Sequence, residues 1–427
     1  MLLLDALIAR AIRYANRRIL AFPESDTVFR LPTADPQRRY LLYLHIPYCV
    51  VLCPFCSFHR VRFNEGAARR YFECLRREID LVGNAGSRFD ELYVGGGTPT
   101  VIPGELIRTL EQVRGAHPLV SISVETNPDD IEKESVRRLR DAGVNRLSVG
   151  VQSFDDTLLR EMQRYDKFGS GRQIAGRLER QKRAFDTLNV DMIFNFPHQT
   201  EASLENDLQV LVDEIQVDQV SWYPLMAAAS MRRSMRQHMG TVDYARERRF
   251  YELIAARMLD AGYTRNSAWC FSRKHGLYDE YIVDRDEYVG LGSGAFSYID
   301  GRLTASTFSI DHYLRLVDAD MTGMVRERTM NERDRMRYFL MMQLFAGKLD
   351  LVLAEARFEG RFRETLWPEL TVLKWLRAVC ERGNTLALTE RGQYLWVIMM
   401  REFFAGVSDL RDEMRHHVSE ENRVELP

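Results

Sequence analysis

Cysteine is scarce, charge is balanced and long apolar runs are missing from this sequence of 427 residues. Of its six cysteines, three crowd into one short stretch, while Cys74, Cys270 and Cys380 lie far apart. That spacing excludes a disulfide framework and points to a reducing cytoplasm. No apolar run is long enough to span a bilayer, and no cleavable signal pattern opens the chain. Lys plus Arg number 59 against 61 Asp plus Glu, so no global field recruits nucleic acid or an acidic partner. Low-complexity tracts are absent as well. With 45% hydrophobic and 28% charged residues, what remains is a soluble globular chain, long enough for one large domain and a smaller one.

What is present centres on residues 40–60, YLLYLHIPYCVVLCPFCSFHR. Cys49, Cys53 and Cys56 follow an apolar run that reads as a buried strand. Spacings of three and two intervening residues let one loop wrap three thiolates around three irons of a cubane cluster, leaving the fourth iron open for chemistry. A structural zinc site would want a second Cys or His pair, and a disulfide would not need three thiols.

From Leu41 onward, short apolar runs alternate with helical patterns, the mark of βα units and a parallel sheet. Strands are expected at 41–45, 91–95, 121–125, 146–151, 190–195 and 219–224. Helices are expected near 66–82, 103–114, 131–142, 172–187, 203–214 and 244–261. Six such units suit a partial (β/α)6 barrel, open on one side, whose active site lies at the C-terminal ends of the strands. The expected fold is therefore α/β, with an amphipathic N-terminal helix and linker at 1–39, the barrel at 40–300 and a mainly helical C-terminal lid domain with a small wing at 301–427. In that last part, helical patterns at 331–347 and 365–382, a turn at 382–384 and LALTERG at 386–392 suggest helices with a small wing. Winged helices often bind DNA, but a charge-balanced segment after a catalytic barrel reads better as a lid over its open side, shielding the site from water. Met330, Met336, Met341, Met342 and Met399 read as core filler, with an adaptable pocket for an apolar tail as the second reading. At the other end, residues 2–22 form a basic amphipathic helix, read as docked on the barrel, with attachment to anionic lipid as the alternative.

Cys-x3-Cys-x2-Cys with Phe55 before the last cysteine resembles the signature of radical S-adenosylmethionine (SAM) enzymes. YLHIPYC before it looks like the branch of the oxygen-independent coproporphyrinogen III dehydrogenases, and the likeness runs from about Tyr43 to Phe296. The resemblance implies a [4Fe-4S] cluster on Cys49, Cys53 and Cys56, its open iron chelated by SAM, which is cleaved to a 5'-deoxyadenosyl radical. Reduced ferredoxin or flavodoxin would be the electron donor. YVGGGTPT, residues 93–100, resembles the family's SAM-binding glycine motif. Gly96 and Glu125 would then bind the first SAM, with Phe296 packed on its adenosine, and Tyr43 is a further cofactor-binding position. Gly97, Thr98, Gln152, Arg164, Asp191 and Pro224 match positions that hold a second SAM.

Departures narrow the reading. Phe58 stands where the coproporphyrinogen enzyme has a further cysteine, and Asn195-Phe196-Pro197 replaces its Gly-Leu-Pro. These point away from decarboxylation of a porphyrinogen. The His-Asn-x-x-Tyr-Trp stretch of the heme chaperones is replaced by SAWCFSRKHGLYDEYIVDRDEY, leaving His275 as a lone candidate axial ligand. DMIFNFPHQT, VSWYPLM and DEYVGLGSGAFSY resemble the menaquinone C8-methyltransferase branch. That likeness implies a methyltransferase using two SAM molecules on an sp2 ring carbon, converting menaquinone to 8-methylmenaquinone, with a peripheral membrane contact where the quinone resides. An anaerobic heme-utilisation methyltransferase or a heme chaperone of the same branch is the alternative. Catalytic proton transfer is unassigned, with Tyr278, Glu280, Tyr281 and Asp284 as candidates.

Overall fold

The computed structural model describes residues 2–20, 22, 38–56, 58–132, 134–226, 235–237, 239–274 and 287–421. Six parallel strands form its centre: β1 (Tyr40–Ile46), β2 (Phe89–Gly96), β3 (Ser121–Thr126), β4 (Arg146–Gln152), β5 (Thr187–Phe194) and β6 (Gln219–Pro224). Each lies where its apolar run placed it. The helices between them fall near their expected places, with three departures: the pattern at 172–187 stops at Gln181 before β5 begins at Thr187, the short helices Asp156–Glu161 and Tyr165–Phe168 are unexpected, and the helix at 203–214 becomes π-helical from Val210.

The sheet does not end at six strands. Beyond β6 it continues antiparallel through β7 (Cys270–Ser272) and Thr264–Arg265. Beyond β1 comes β8 (Tyr288–Leu291), which runs parallel to it, then β9 (Phe296–Ile299), β10 (Arg302–Ser306) and β11 (Met324–Thr329) in antiparallel order. The result is one open sheet of 12 strands whose terminal strands do not pair with each other. The expected boundary at residue 300 therefore falls inside the β9–β10 hairpin, and the sheet runs on into the C-terminal region.

A buried carboxylate ties that late segment to the first helix of the sheet. Glu78, on the helix Glu65–Asn84, accepts from the backbone N–H of Gly292 (2.8 Å) and of Gly323 (2.7 Å) and from the Tyr313 hydroxyl (2.8 Å). Burial raises its pKa, and those three donors oppose the shift by favouring the ionised form.

Farther along, the helix Glu332–Phe345 agrees with its pattern, but 365–382 does not form one helix. Trp367–Trp375 is helical, and Val379–Arg382 then pairs as a strand with Thr385–Leu388, closed by Gly383 at φ 58°. With Lys348–Asp350 these make the small wing. Met330, Met336 and Met342 are buried in the core. The long helix Glu390–Glu421 carries the aromatic run 394–404.

The N-terminal helix Leu2–Ile19 docks on that C-terminal helix rather than on the strands. Ala9 is buried, Ile8 and Ile12 pack on the core, and Arg13 pairs with Glu402 at 2.5 Å, whereas Leu7 is exposed. Among the described residues no helix is long and apolar enough to cross a membrane. His275, Tyr278, Glu280, Tyr281 and Asp284 lie outside the described residues.

Candidate active site

Alternation along the strands decides which side chains enter the site, because successive residues point to opposite faces. Leu42, Leu44, Val94, Val124, Leu147, Val149, Val190 and Trp222 are fully buried on the face covered by helices. The intervening residues are polar: Tyr43 and His45 on β1, Tyr93 on β2, Glu125 on β3, Ser148 on β4, Asn189 and Asp191 on β5, and Ser221 on β6. A parallel sheet buried against apolar layers on both faces reads as continuous hydrophobic sequence; this one lines a polar interior.

The loop Cys49–Cys56 leaves the end of β1 and is braced from three sides. Arg60 donates from one guanidinium nitrogen to the carbonyls of Cys53 and Cys56. Thr98 donates to the Cys49 sulfur (3.5 Å) and accepts from Asn127 Nδ2 (3.0 Å). Arg164 is 4% exposed, lies over the Phe168 ring (4.4 Å), and donates to the Gly150 carbonyl and to the Cys53 sulfur (3.6 Å). Burial raises the Cys49 thiol, and the Thr98 bond works against that. No three metal-ligating side chains among the described residues converge on a single point. Thiol donors under a ring of Arg60, Arg164 and Lys167 fit the net negative charge of a [4Fe-4S] cluster.

The glycine turn after β2 lies flat against this loop. Gly97 N–H donates to the Ile46 carbonyl (2.7 Å) and Thr98 N–H to that of Tyr48 (2.8 Å). A Cβ on Gly97 would stand 2.8 Å from the Tyr48 carbonyl oxygen, and one on Gly96, whose φ is 117°, would meet the His45 ring at 2.8 Å. Only glycine permits this contact. Thr98 thus reaches the cluster loop with both its backbone and its hydroxyl.

Glu125, at the end of β3, accepts from the Tyr93 hydroxyl (2.9 Å) and from Gly96 N–H (3.0 Å), which fixes both carboxylate oxygens beside the turn. Tyr43 donates to His45 Nδ1 (2.9 Å), and His45 Nε2 donates to the His59 carbonyl (2.9 Å); the carbonyl partner requires that Nε2 carry the proton. His59 stacks on His45 and donates from Nε2 to Ser293 Oγ (3.1 Å). Burial lowers His45 to about 3 and His59 well below its ordinary value, so both are neutral.

Gln152 adopts φ 78° where β4 turns away, and Asp207 secures that turn by accepting from Phe154 N–H (2.6 Å) and Ser153 Oγ (2.9 Å). Asp191 accepts from Ser148 Oγ (2.8 Å) and Asn189 Nδ2 (2.7 Å). Pro224 ends β6 beside Phe194, where Arg246 grips the carbonyls of Phe196, Pro197 and Gln199. Phe296 opens β9, buried beside Phe308 (6.2 Å). Of the ligand positions expected from sequence, Gly96, Gly97, Thr98, Glu125, Gln152 and Pro224 stand at the C-terminal strand ends or in the glycine turn, Tyr43 and Asp191 lie within their strands, Arg164 follows the helix Asp156–Glu161, and Phe296 opens a strand.

Sequence reading missed His45, His59, Arg60 and Asn127, although His45 belongs to the alternating polar set of β1. It also missed Arg411 and Arg415 of the C-terminal helix. Arg415 donates to the Phe58 carbonyl (2.9 Å), and the Arg411 guanidinium lies over the rings of Phe58 (5.3 Å) and Phe296 (5.8 Å).

Comparison with known proteins agrees with this geometry. Residues 43–211 match the model of the radical SAM superfamily. The chain is 27% identical to the heme chaperone HemW of Bacillus subtilis over 378 residues, 83% of this chain and 96% of that one. It is 30% identical to HemW of Mycobacterium tuberculosis over 281 residues, 62% of this chain and 70% of the relative. Anaerobilin synthase of Escherichia coli O157:H7 is 31% identical over 283 residues, 63% of each chain. The solved structure of the Escherichia coli coproporphyrinogen III oxidase HemN superposes with a TM-score of 0.74 at 23% identity, covering 86% of this chain and 91% of that one. With its three-thiol loop, its glycine turn and these relatives, the chain belongs to the radical SAM superfamily, in the branch of HemW and the oxygen-independent coproporphyrinogen III oxidases.

Proposed function

We propose that this protein is a radical SAM enzyme that methylates an sp2 carbon of a planar conjugated ring, drawing on two SAM molecules. The radical SAM part of this reading is supported by the convergence on one loop of Thr98, Arg60 and Arg164 with Cys49, Cys53 and Cys56, next to a glycine turn pinned to Glu125. Methyl transfer from a second SAM rests on the likeness of Gly97, Thr98, Gln152, Arg164, Asp191 and Pro224 to second-SAM positions. When bound, a [4Fe-4S] cluster supplies the electron that cleaves SAM. The chain's own groups do the rest. Glu125 offers a fixed carboxylate to an ammonium group, and Asp191 one to ribose or amino donors. Gly96 and Gly97 keep the turn thin so that a ligand approaches the backbone closely. The two neutral histidines add no charge beside the cluster loop.

For the ring, the relatives favour a tetrapyrrole: the names of HemW and HemN speak of heme and of coproporphyrinogen. A second reading is menaquinone, favoured by the stretches DMIFNFPHQT and VSWYPLM and by Phe58 in place of a further cysteine. A heme chaperone without turnover is the contrasting class.

The test is anaerobic incubation of cluster-reconstituted protein with SAM, reductant and either heme or a short-tailed menaquinone, followed by mass analysis. A methylated ring with S-adenosylhomocysteine and 5'-deoxyadenosine is expected from one of the two. Heme bound with a Soret shift but neither SAM product formed would replace the enzyme reading with the chaperone.

A further inference from the structure

Two arginines of the C-terminal helix face different fates. Arg401 is held by Glu247 and Glu402, both buried. Arg411, ten residues on, has no carboxylate partner among the described residues. Its Nε is shut off from solvent with no hydrogen bond, and its guanidinium is held over Phe58 and Phe296. Stacking on aromatic rings leaves the N–H edge of a guanidinium free to grip a planar anion bidentately. A donor buried without a partner is costly, which argues that something completes it.

Its surroundings say what. Arg415, one turn on, donates to the Phe58 carbonyl and approaches His59 Nδ1 (3.4 Å), while Asp412 sits beside Arg415 (3.5 Å). Arg60 lies in the same loop as Phe58, with its Nε and Nη1 also buried and unbonded. Burial is the main cause that lowers His45 and His59, and the charges of Arg411 and Arg415 add to it in the same direction. Excess positive charge next to an aromatic wall fits a flat ring carrying an acidic side chain.

We infer that Arg411 is a carboxylate-binding residue for the ring substrate, holding an acidic side chain of the ring while Phe58 and Phe296 flank it. This rests on the tetrapyrrole reading above, because menaquinone has no carboxylate.

The test uses the full-length, cluster-reconstituted protein and the Soret band of added ring. Wild type is titrated with heme and with its dimethyl ester, whose carboxylates are masked, in parallel with R411Q and R411K. Wild type should bind the free acid about tenfold more tightly than the diester, the worth of one charge-assisted pair. R411Q should lose that preference with diester affinity unchanged, and R411K should keep part of it. Retained cluster absorption in R411Q guards against a folding artefact. Equal binding of acid and diester by wild type, or an undiminished preference in R411Q, overturns the inference while leaving the ring reading in place. Failure to bind either ring overturns both. SAM binding without ring provides the last arm: a loss there in R411Q that equals the loss with heme would assign the anion to the amino-acid carboxylate of SAM and refute the ring assignment.

Discussion

The six parallel strands present two faces made from the same backbone, and the difference between them separates stability from chemistry. On the helix-covered face, Leu44, Val94, Leu147 and Val190 are fully buried. On the inner face, Ser148, Asn189, Asp191 and Ser221 hold one another through bonds of 2.7–3.1 Å. The apolar face gains from removal of surface from water at about 25 cal/mol per Å2. The polar face gains little net free energy from its hydrogen bonds but stays ordered because Ser148, Asn189 and Ser221 each donate to a buried acceptor. A substitution on one face should therefore disturb folding, and on the other, ligand handling.

The sharpest break comes at the loop above the inner face. Replacing Cys49, Cys53 or Cys56 with Ala should remove the charge-transfer absorption of the cluster and all SAM cleavage, whereas Cys74→Ala, on the helix Glu65–Asn84, should change neither. A full cluster in Cys53→Ala would refute the assignment of this loop.

Next in size, Leu147→Ala on the apolar face should cost about 2–5 kcal/mol in urea unfolding and leave SAM turnover per folded molecule unchanged. Its inner-face counterpart is Asp191→Ala, which should move stability by only about 1 kcal/mol yet abolish methyl transfer, with abortive 5'-deoxyadenosine formation continuing. Loss of stability alone in Asp191→Ala would end the division between faces.

A pH series sharpens the comparison further. Burial places the folded-state pKa of His45 at about 3, below the unfolded value of 6.5. The unfolded chain then binds more protons between those limits, so stability of the cluster-free protein should fall as pH drops from 6.5 toward 3, by up to about 1.4 kcal/mol per pH unit for this group. His59 acts in the same direction. His45→Gln should flatten the slope in urea unfolding measured at pH 5 and pH 7. An unchanged slope would place the proton uptake elsewhere.

The smallest effect concerns the N-terminal helix. Because Arg13 is paired with Glu402 and Ala9 is buried, deleting residues 2–20 should lower the midpoint of thermal unfolding by a few degrees and leave cluster absorption intact. Flotation of the full-length protein with anionic liposomes at low salt would instead show that the helix leaves this dock for lipid.

Local pattern made the loop of Cys49, Cys53 and Cys56, the six strands and the glycine turn legible before any coordinates, because each depends on neighbours within a few residues: thiol spacing, short apolar runs between helical patterns, and consecutive glycines. The polar set that includes His45 was also written there, as alternation within strands that a parallel sheet usually makes uniformly apolar. Pairing between distant segments had no such signal. Only the folded chain places β8 beside β1, gathers Gly292 and Gly323 on Glu78, and lays Arg411 and Arg415 across Phe58 from more than 350 residues away. Those contacts depend on which sheet edge remains open and which buried charge still lacks a partner. Both are properties of the assembled core, and no window of sequence contains them.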